Sequence, residues 1–436
     1  MILNRRKQNI VLFVTISVIY VTLMASIYFM HLGNYSLRTV SFILILAVSV
    51  FMPSDRLQII ISLLFPLTEI VRLGDDSRTV LPFVVMIYIL KALSFKIIKT
   101  PKFYFFMMPF GLFVIMNIIS SLSNFNTFIN PIVTCAFIFF AYVLANQKKD
   151  DTINAWIAGV FVVSSLITAV ASIVYEDLSI EISGVSVYNT RMAGFSSPWN
   201  FGLCMLLAWF FTSMLFKNRN IGYVLMIAGS AAFVSFAIKS GTRSLLIGMC
   251  IVLFYIIFSF GRRLIKNKFV YFSIFAVIIP LGVIFYYLMI FKPLVESRGQ
   301  FYDTSRVELW SYYLDLFSNN PAVMLFGLGC NNLSLYAYNT GMLTAHNIFI
   351  EMIVELGVVG TVFFVYLIAV LFAGAQKNPF KNDMIIPIIL YCTFLMTQSG
   401  LSTELLYFLI ALACQTYPKT KTMCAENRLA VNKIKA

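Results

Sequence analysis

Apolar residues in this chain gather in long runs separated by short polar stretches. Runs of roughly 15 to 23 residues recur from Ile10 to Tyr417, and each is about long enough to cross a ~30 Å hydrocarbon layer as a helix. Lipid cannot satisfy exposed backbone groups, so such runs must be helical. We therefore predict an all-α fold over residues 1–417, a single polytopic transmembrane bundle of about 14 spans (12–14). The predicted spans are 9–31, 38–52, 57–71, 79–90, 103–122, 128–146, 154–174, 199–216, 220–238, 244–260, 269–291, 346–372, 384–397 and 401–417.

Some of these spans have a second interpretation. The short runs near 38–71 and 384–417 can instead form re-entrant pairs. The first run follows the basic group Arg5-Arg6-Lys7, as in a signal peptide. It is longer than the apolar region of a signal peptide, and no small-residue cleavage site follows it, so we predict a retained span.

The basic residues predict the orientation, since Lys and Arg accumulate in cytoplasmic loops. With the N-terminus in the cytoplasm, 23 of the 32 Lys and Arg residues fall on the inner side. Both termini and the tail 418–436 are then cytoplasmic. The net charge of +14 is explained by this topology and by attraction to anionic membrane lipid, and it does not indicate nucleic-acid binding. Composition excludes a soluble domain, because 60% of residues are hydrophobic and 11% are charged.

Nine basic residues fall on the predicted outer side and need another reason to be there. Two long outer loops, 175–198 and 292–345, carry several of them, and long loops in compact proteins are commonly functional. In the second loop, Ser305 and Glu308 fit a capping box. An amphipathic helix is predicted over about 306–318, with its apolar stripe at i, i+3, i+4 and i+7 and its end at Asn319-Asn320-Pro321. The stripe consists of Trp310, Tyr313, Leu314 and Phe317, and the nine outer residues are Arg38, Arg72, Arg78, Arg191, Lys239, Arg243, Lys292, Arg298 and Arg306.

His346 is the leading candidate for acid–base chemistry. It is one of two histidines, and it lies where the long outer loop enters a span, with Asn347 beside it. Histidine is the usual proton acceptor near neutral pH. The alternative is a capping or interfacial histidine. Gly357 and Gly360 follow at a spacing that favours close helix packing, which would hold the histidine rigidly.

Three outer arginines are candidates for anion binding. Arg243, in the segment Lys239–Ser244, and Arg306 are both predicted near helix N-termini, where free N–H groups favour anions. Two guanidinium groups there could bind a pyrophosphate in bidentate fashion. Arg191 precedes Asn200, which suits a polar pocket at the start of a span. The alternative for Arg243 and Arg306 is that each extends to lipid phosphate. The aromatic residues near Asn200 can instead belong to the membrane interface.

Carboxylates and cysteines complete the candidate chemistry. Glu351 and Glu355 lie one and two turns after His346 in an apolar run, where an unpaired charge is costly. We expect them to be paired, and Glu351 could pair with an outer arginine. No paired-carboxylate metal signature occurs in an outer loop, and the seven cysteines show no metal spacing. Neither a metal nor a cofactor is expected.

The order of these motifs resembles the O-antigen polymerase and O-antigen ligase superfamily. The resemblance covers about 185–362 and rests on Arg191-x-x-Gly, Pro198-x-Asn200, Ser240-Gly241-Thr242-Arg243, Ser305-Arg306 with Trp310 and Pro321, Gly327-x-Gly329, and His346-Asn347 followed by Gly357-x-x-Gly360. It implies a bacterial inner-membrane glycosyltransferase of the C-type fold. Such an enzyme acts at the periplasmic face on undecaprenyl-pyrophosphate-linked glycans, without a metal.

The same resemblance implies roles for individual residues. Arg243 and Arg306 would bind the pyrophosphate, Arg191 would add to that pocket, and His346 would activate the acceptor hydroxyl. Asn347, Asn200, Glu351 and Lys239 would support them. We favour a polymerase, whose acceptor is another lipid-linked repeat unit, over a ligase, whose acceptor is lipid A-core. A chain-length regulator protein is a candidate partner. A lipid-linked oligosaccharide flippase is the alternative of another class, although its cations should lie at the bundle centre.

Overall fold

The computed structural model describes residues 2–71, 79–93, 101–147, 150–175, 195, 197–216, 222–240, 244–264, 304–341, 343–374, 383–395 and 404–415. Regular structure within these ranges is helical, which confirms the all-α prediction. The helices are α1 (Ile2–His31), α2 (Ser36–Phe51), α3 (Ser54–Leu64), α4 (Leu81–Ala92), α5 (Pro101–Phe125), α6 (Ile129–Ala145), α7 (Asp151–Val174), α8 (Pro198–Phe216), α9 (Gly222–Lys239), α10 (Leu245–Leu264), α11 (Thr304–Asn319), α12 (Pro321–Phe326), α13 (Leu333–Thr340), α14 (Ile348–Gly374), α15 (Ile385–Leu395) and α16 (Glu404–Cys414).

Five of the described helices are long and apolar enough to cross a membrane. Their spanning segments are Asn9–His31, Lys102–Phe125, Thr152–Val174, Trp199–Phe216 and Ile348–Ala373. The apolar helices α2, α4, α6, α15 and α16 have fewer than 18 residues and so fall short of a ~30 Å layer at 1.5 Å per residue. Helix length therefore supports five spans directly.

Several predicted segments differ from the structure or lie outside it. The predicted span 57–71 is a short α3 followed by a 3₁₀ helix over Phe65–Ile70, where Pro66 is at the helix start. The predicted span 269–291, most of the loop 175–198 and the tail 418–436 lie outside the described residues. The loop 292–345 is described from residue 304 onward, apart from residue 342.

Two helices form the centre of the bundle. α8 packs against α7, α9, α10 and α15, and its residues from Phe201 to Ser213 are all buried. α16 packs against α6 and α15, and every residue from Leu405 to Cys414 is buried. Burial of apolar side chains on all faces explains why these helices show no amphipathic stripe.

Two basic side chains bind carbonyl groups at the ends of helices. The Nε of Arg38, which is buried, donates to the carbonyl of Ile70 at the end of the 3₁₀ helix (3.1 Å). The ammonium of Lys91 donates to the Ser49 and Met52 carbonyls (3.0 and 2.7 Å), where α2 ends. The last carbonyls of a helix have no partner within it and favour cations. Arg38, one of the nine outer basic residues, thus has a structural role.

The long loop before α14 folds over the first half of that helix. α11, α12 and α13 all pack against α14. They enclose a small apolar core that is separate from the main core of the bundle. Its buried members are Leu309, Tyr313, Val323, Leu328, Leu333, Ala345, Ile350 and Val354.

α14 is broken at Gly357. This residue has φ 64° and ψ −178°, which interrupts the helical hydrogen bonds. The carbonyls of Val354 and Glu355 instead accept bonds from the backbone N–H groups of Leu328 and Gly329, both at 2.9 Å. Because lipid offers no replacement donor, a broken helix persists only where protein supplies one.

Candidate functional site

The predicted amphipathic helix is present as α11 and carries Arg306 in its first turn. The helix begins at Thr304, so Ser305 lies inside the first turn and is not the N-cap expected from the capping box. Its inner face holds Leu309 and Tyr313. Leu314, which we placed in the apolar stripe, is 45% exposed. The stripe is therefore rotated, because the helix packs on α14 as well as on α12.

The chain leading to His346 is held by two side chains of α11. The indole Nε1 of Trp310 donates to the carbonyl of Ala345 (2.8 Å), and the hydroxyl of Tyr313 donates to the carbonyl of Leu343 (2.7 Å). Burial raises the pKa of Tyr313 to about 12, so its hydroxyl keeps the proton it donates near neutral pH. These bonds fix the backbone on either side of Thr344.

His346 sits in a left-handed backbone conformation at the entrance to α14. Its φ is 49°, a region that non-glycine residues seldom adopt and that clusters at functional sites. The imidazole is partly buried, and the Thr344 hydroxyl lies 3.4 Å from its Nδ1. This conformation distinguishes the residue from an ordinary helix cap.

The pKa of His346 is lowered by its surroundings. Burial is the main cause, and the nearby positive charge of Arg306 adds to it. Both effects disfavour the imidazolium form. A neutral imidazole at ordinary pH is the form that accepts a proton. The positive charge of Arg306 thus acts on His346, and both causes favour the neutral imidazole.

Asn347 and Glu351 continue the site along α14. The side-chain oxygen of Asn347 accepts bonds from the N–H groups of Phe349 (3.0 Å) and Ile350 (3.4 Å), so it is the N-cap of the helix. Glu351, one turn later, is 4% exposed. Asn347 therefore fixes the direction in which α14 leaves His346.

The other predicted site residues are on different elements or outside the described ranges. Asn200 is partly buried in the first turn of α8, where its N–H donates to the Ser197 hydroxyl (3.4 Å). Lys239 is the last residue of α9 and is exposed. Arg191 and Arg243 lie outside the described residues, so their predicted placement in an anionic pocket stays a prediction.

Sequence reasoning missed the main role of Glu355. This side chain is 2% exposed, and its two oxygens accept bonds from the backbone N–H groups of Leu333 and Asn331, both at 2.9 Å. We expected a charged partner, but the carboxylate binds backbone amides at the start of α13. Hydrogen bonds from N–H groups to a carboxylate are among the stronger ones in proteins.

The segment 327–333, which we call the inserted segment, is held from the other side by polar residues of α5 and α6. Asn117 accepts from the Cys330 N–H (2.9 Å), and Asn130 donates to the Asn331 carbonyl (3.1 Å). Within the segment, Asn332 is fully buried and donates to the Ser121 hydroxyl (2.8 Å). A stretch that sequence analysis assigned to an outer loop is thus buried between helices.

Glycines make this close approach possible. A Cβ atom on Gly327 would lie 2.2 Å from the Glu355 carbonyl oxygen, and one on Gly357 would lie 2.5 Å from the Leu325 carbonyl oxygen. Gly357 therefore allows α12 to approach α14 closely, as its spacing predicted, and it also breaks α14, which was not predicted. Gly360 does pack closely, since a Cβ there would lie 2.6 Å from the Met116 side chain of α5.

Residues 228–365 match the family model described as O-antigen ligase. The matched range contains Arg243, Arg306, His346 and Glu355, and it ends shortly after Gly360. Arg191 and Asn200 precede it. No curated protein matches the sequence.

The match agrees with the apolar helices and covers the part of the chain that forms the candidate site. Over residues 228–365, this membrane protein is similar to the O-antigen ligase family, and the match confirms the resemblance to the O-antigen polymerase and ligase superfamily.

Proposed function

We propose that the protein is an O-antigen polymerase. It would join undecaprenyl-pyrophosphate-linked repeat units at the periplasmic face of the bacterial inner membrane. The observation that carries the proposal is the pairing of Arg306 with His346. Trp310 of α11 bonds to the residue before His346, and the charge of Arg306 on the same helix acts on the partly buried imidazole.

The reaction assigned to this site is an inverting glycosyl transfer. His346 takes the proton from the acceptor hydroxyl, and the hydroxyl oxygen attacks the anomeric carbon. The bond from that carbon to the pyrophosphate oxygen breaks on the opposite face, and its electron pair leaves with the lipid pyrophosphate. The proton then passes from the imidazole to solvent.

In this proposal Arg306 stabilises the charge that develops on the leaving pyrophosphate, and Arg243 and Arg191 are proposed to contribute to the same anion binding. Guanidinium groups already placed at that point lower the barrier without reorganisation during the reaction. This proposal needs no metal or cofactor. Glu351, Asn347, Asn200 and Lys239 are proposed as supporting residues.

A ligase is the second candidate, because the matched family model is itself described as O-antigen ligase. Ligase and polymerase share the donor and differ in the acceptor, which is lipid A-core for the ligase. Lipopolysaccharide from a deletion strain separates the two. Core carrying one repeat unit supports the polymerase, whereas bare core with accumulated lipid-linked polymer supports the ligase.

The enzymatic proposal is tested by Arg306→Ala, Arg243→Ala and His346→Ala in the deletion strain. Each variant should reduce long-chain glycan by at least about 100-fold while the protein stays in the membrane. Glycan is measured by gel electrophoresis, and protein by immunoblot of membranes. Lys239→Ala, which changes an exposed residue, is the comparison and should lose less long-chain glycan. Wild-type glycan in the Arg306 and His346 variants would refute a transferase site at these residues.

A further inference from the structure

α11 carries Arg306 of the candidate site, and it also holds the stretch of chain that leads to His346. Trp310 and Tyr313 lie one and two turns after Arg306 on the same helix. Their side chains bond the carbonyls of Ala345 and Leu343 at 2.8 and 2.7 Å. The helix that carries the guanidinium of Arg306 is therefore hydrogen-bonded to the chain immediately before His346.

These two hydrogen bonds lie next to a residue whose backbone conformation needs support from other parts of the chain. His346 adopts φ 49°, which an L-residue keeps only when its surroundings impose it. Ala345, whose carbonyl Trp310 binds, is fully buried. Asn347 on the other side is fixed as the cap of α14. The backbone of His346 is thus restrained on both sides.

We propose that Trp310 and Tyr313 are positioning residues that set the place of His346 relative to Arg306. The inference rests on the proposed function, which gives those two residues their roles in glycosyl transfer. Proton removal and charge stabilisation must occur together across one reacting centre, so the separation of the two groups matters as much as their presence. A misplacement of about 1 Å can cost on the order of 100-fold in rate.

Conservative variants test the two bonds without emptying the core. Trp310→Phe keeps an aromatic ring and removes the indole donor, and Tyr313→Phe removes one hydroxyl. Tyr312→Phe is the matched control, because this neighbour on α11 shares its hydrogen bond with the Tyr336 hydroxyl (3.1 Å) and not with the chain at His346. In membranes of the host strain, long-chain glycan formation should fall at least about tenfold in the first two variants. The control should stay within about twofold of wild type.

A second measurement follows the histidine directly. Diethyl pyrocarbonate modifies neutral imidazole, and the chain has two histidines, which mass spectrometry distinguishes by peptide. His31 is the internal reference, with its ring 4.9 Å from that of Tyr175. In full-length purified protein, Trp310→Phe and Tyr313→Phe should raise the modification rate of His346 several-fold relative to His31. Tyr312→Phe should leave the ratio unchanged.

The outcomes separate positioning from general loosening. An equal rise at both histidines, or lower glycan formation with an unchanged ratio, would overturn the proposal. Unchanged glycan formation despite faster modification of His346 would also overturn it. Wild-type glycan in His346→Ala would instead refute the proposed function, while the modification ratio would still report whether α11 holds the histidine.

Discussion

The bundle buries two short segments in opposite ways. α16 satisfies its own backbone as a helix and is held by apolar side chains, all ten from Leu405 to Cys414 being buried. The inserted segment 327–333 satisfies its backbone outside itself, through Glu355, Asn117 and the carbonyls freed by the break in α14. Apolar packing tolerates small changes of shape, whereas hydrogen bonds between buried groups do not. The segment next to the candidate site is thus the one defined by directional contacts.

The largest effect is expected from Gly327→Ala. The new Cβ would lie 2.2 Å from the Glu355 carbonyl oxygen, so the segment would have to leave the break in α14, at a cost of about 3 kcal/mol or more. We expect little folded protein by size-exclusion chromatography in detergent. Gly341→Ala is the control: its φ is also positive, at 70°, but its Cβ would meet nothing within 4 Å. It should cost only about 1 to 2 kcal/mol. Equal losses of folded protein in the two variants would show that the positive φ alone, and not the contact with Glu355, determines the effect.

A smaller effect is expected from Glu355→Gln. The amide nitrogen replaces one of the two oxygens that accept bonds from Leu333 and Asn331, and a donor then faces a donor. The loss of stability should be about 1–3 kcal/mol, measured as a lower thermal midpoint in detergent, with long-chain glycan also reduced. If this nearly isosteric change were silent, directional bonding would not hold the segment.

The matching change in α16 should be milder. Leu409 is fully buried, and Leu409→Met keeps nearly the same volume and apolar character. We expect a cost below about 1.5 kcal/mol and unchanged glycan length. A thermal midpoint lower than that of Glu355→Gln would reverse the contrast between the two segments.

The smallest effect on stability is expected from Arg306→Gln, since the residue is partly exposed. Its charge helps to lower the pKa of His346, and its removal should raise that pKa toward the usual value. The pH at which His346 becomes reactive to diethyl pyrocarbonate should therefore move upward, because the neutral imidazole would form only above a higher pH. Arg306→Lys, which keeps the charge, should leave the midpoint close to wild type.

Patterns in the sequence predicted what depends on local periodicity. α11 was predicted over 306–318 and is found over Thr304–Asn319, since its apolar spacing and the Asn-Asn-Pro stop are local signals. The placement of Arg306 and His346 in one site was implied by the family resemblance, which rests on the order of the motifs. The match over 228–365 supports the family from which that order was taken.

Contacts between distant parts of the chain were not predictable in this way. Glu355 was recognised as costly in an apolar run, but its partner is backbone, which carries no sequence mark. Gly357 was interpreted from its spacing to Gly360, whereas its positive φ depends on the segment that approaches it. A glycine pair indicates closeness and does not say whether a helix continues or breaks.

The inserted segment also constrains when the site can be completed during synthesis. Cys330 bonds to Asn117, made 213 residues earlier, while the carboxylate that binds Asn331 is made 24 residues later. When the ribosome has finished α13, the inserted segment can therefore bond to Asn117, but Glu355 has not yet been made. The site closes only after the first half of α14 has left the translocon, so a nascent chain that stalls before Gly357 cannot assemble it.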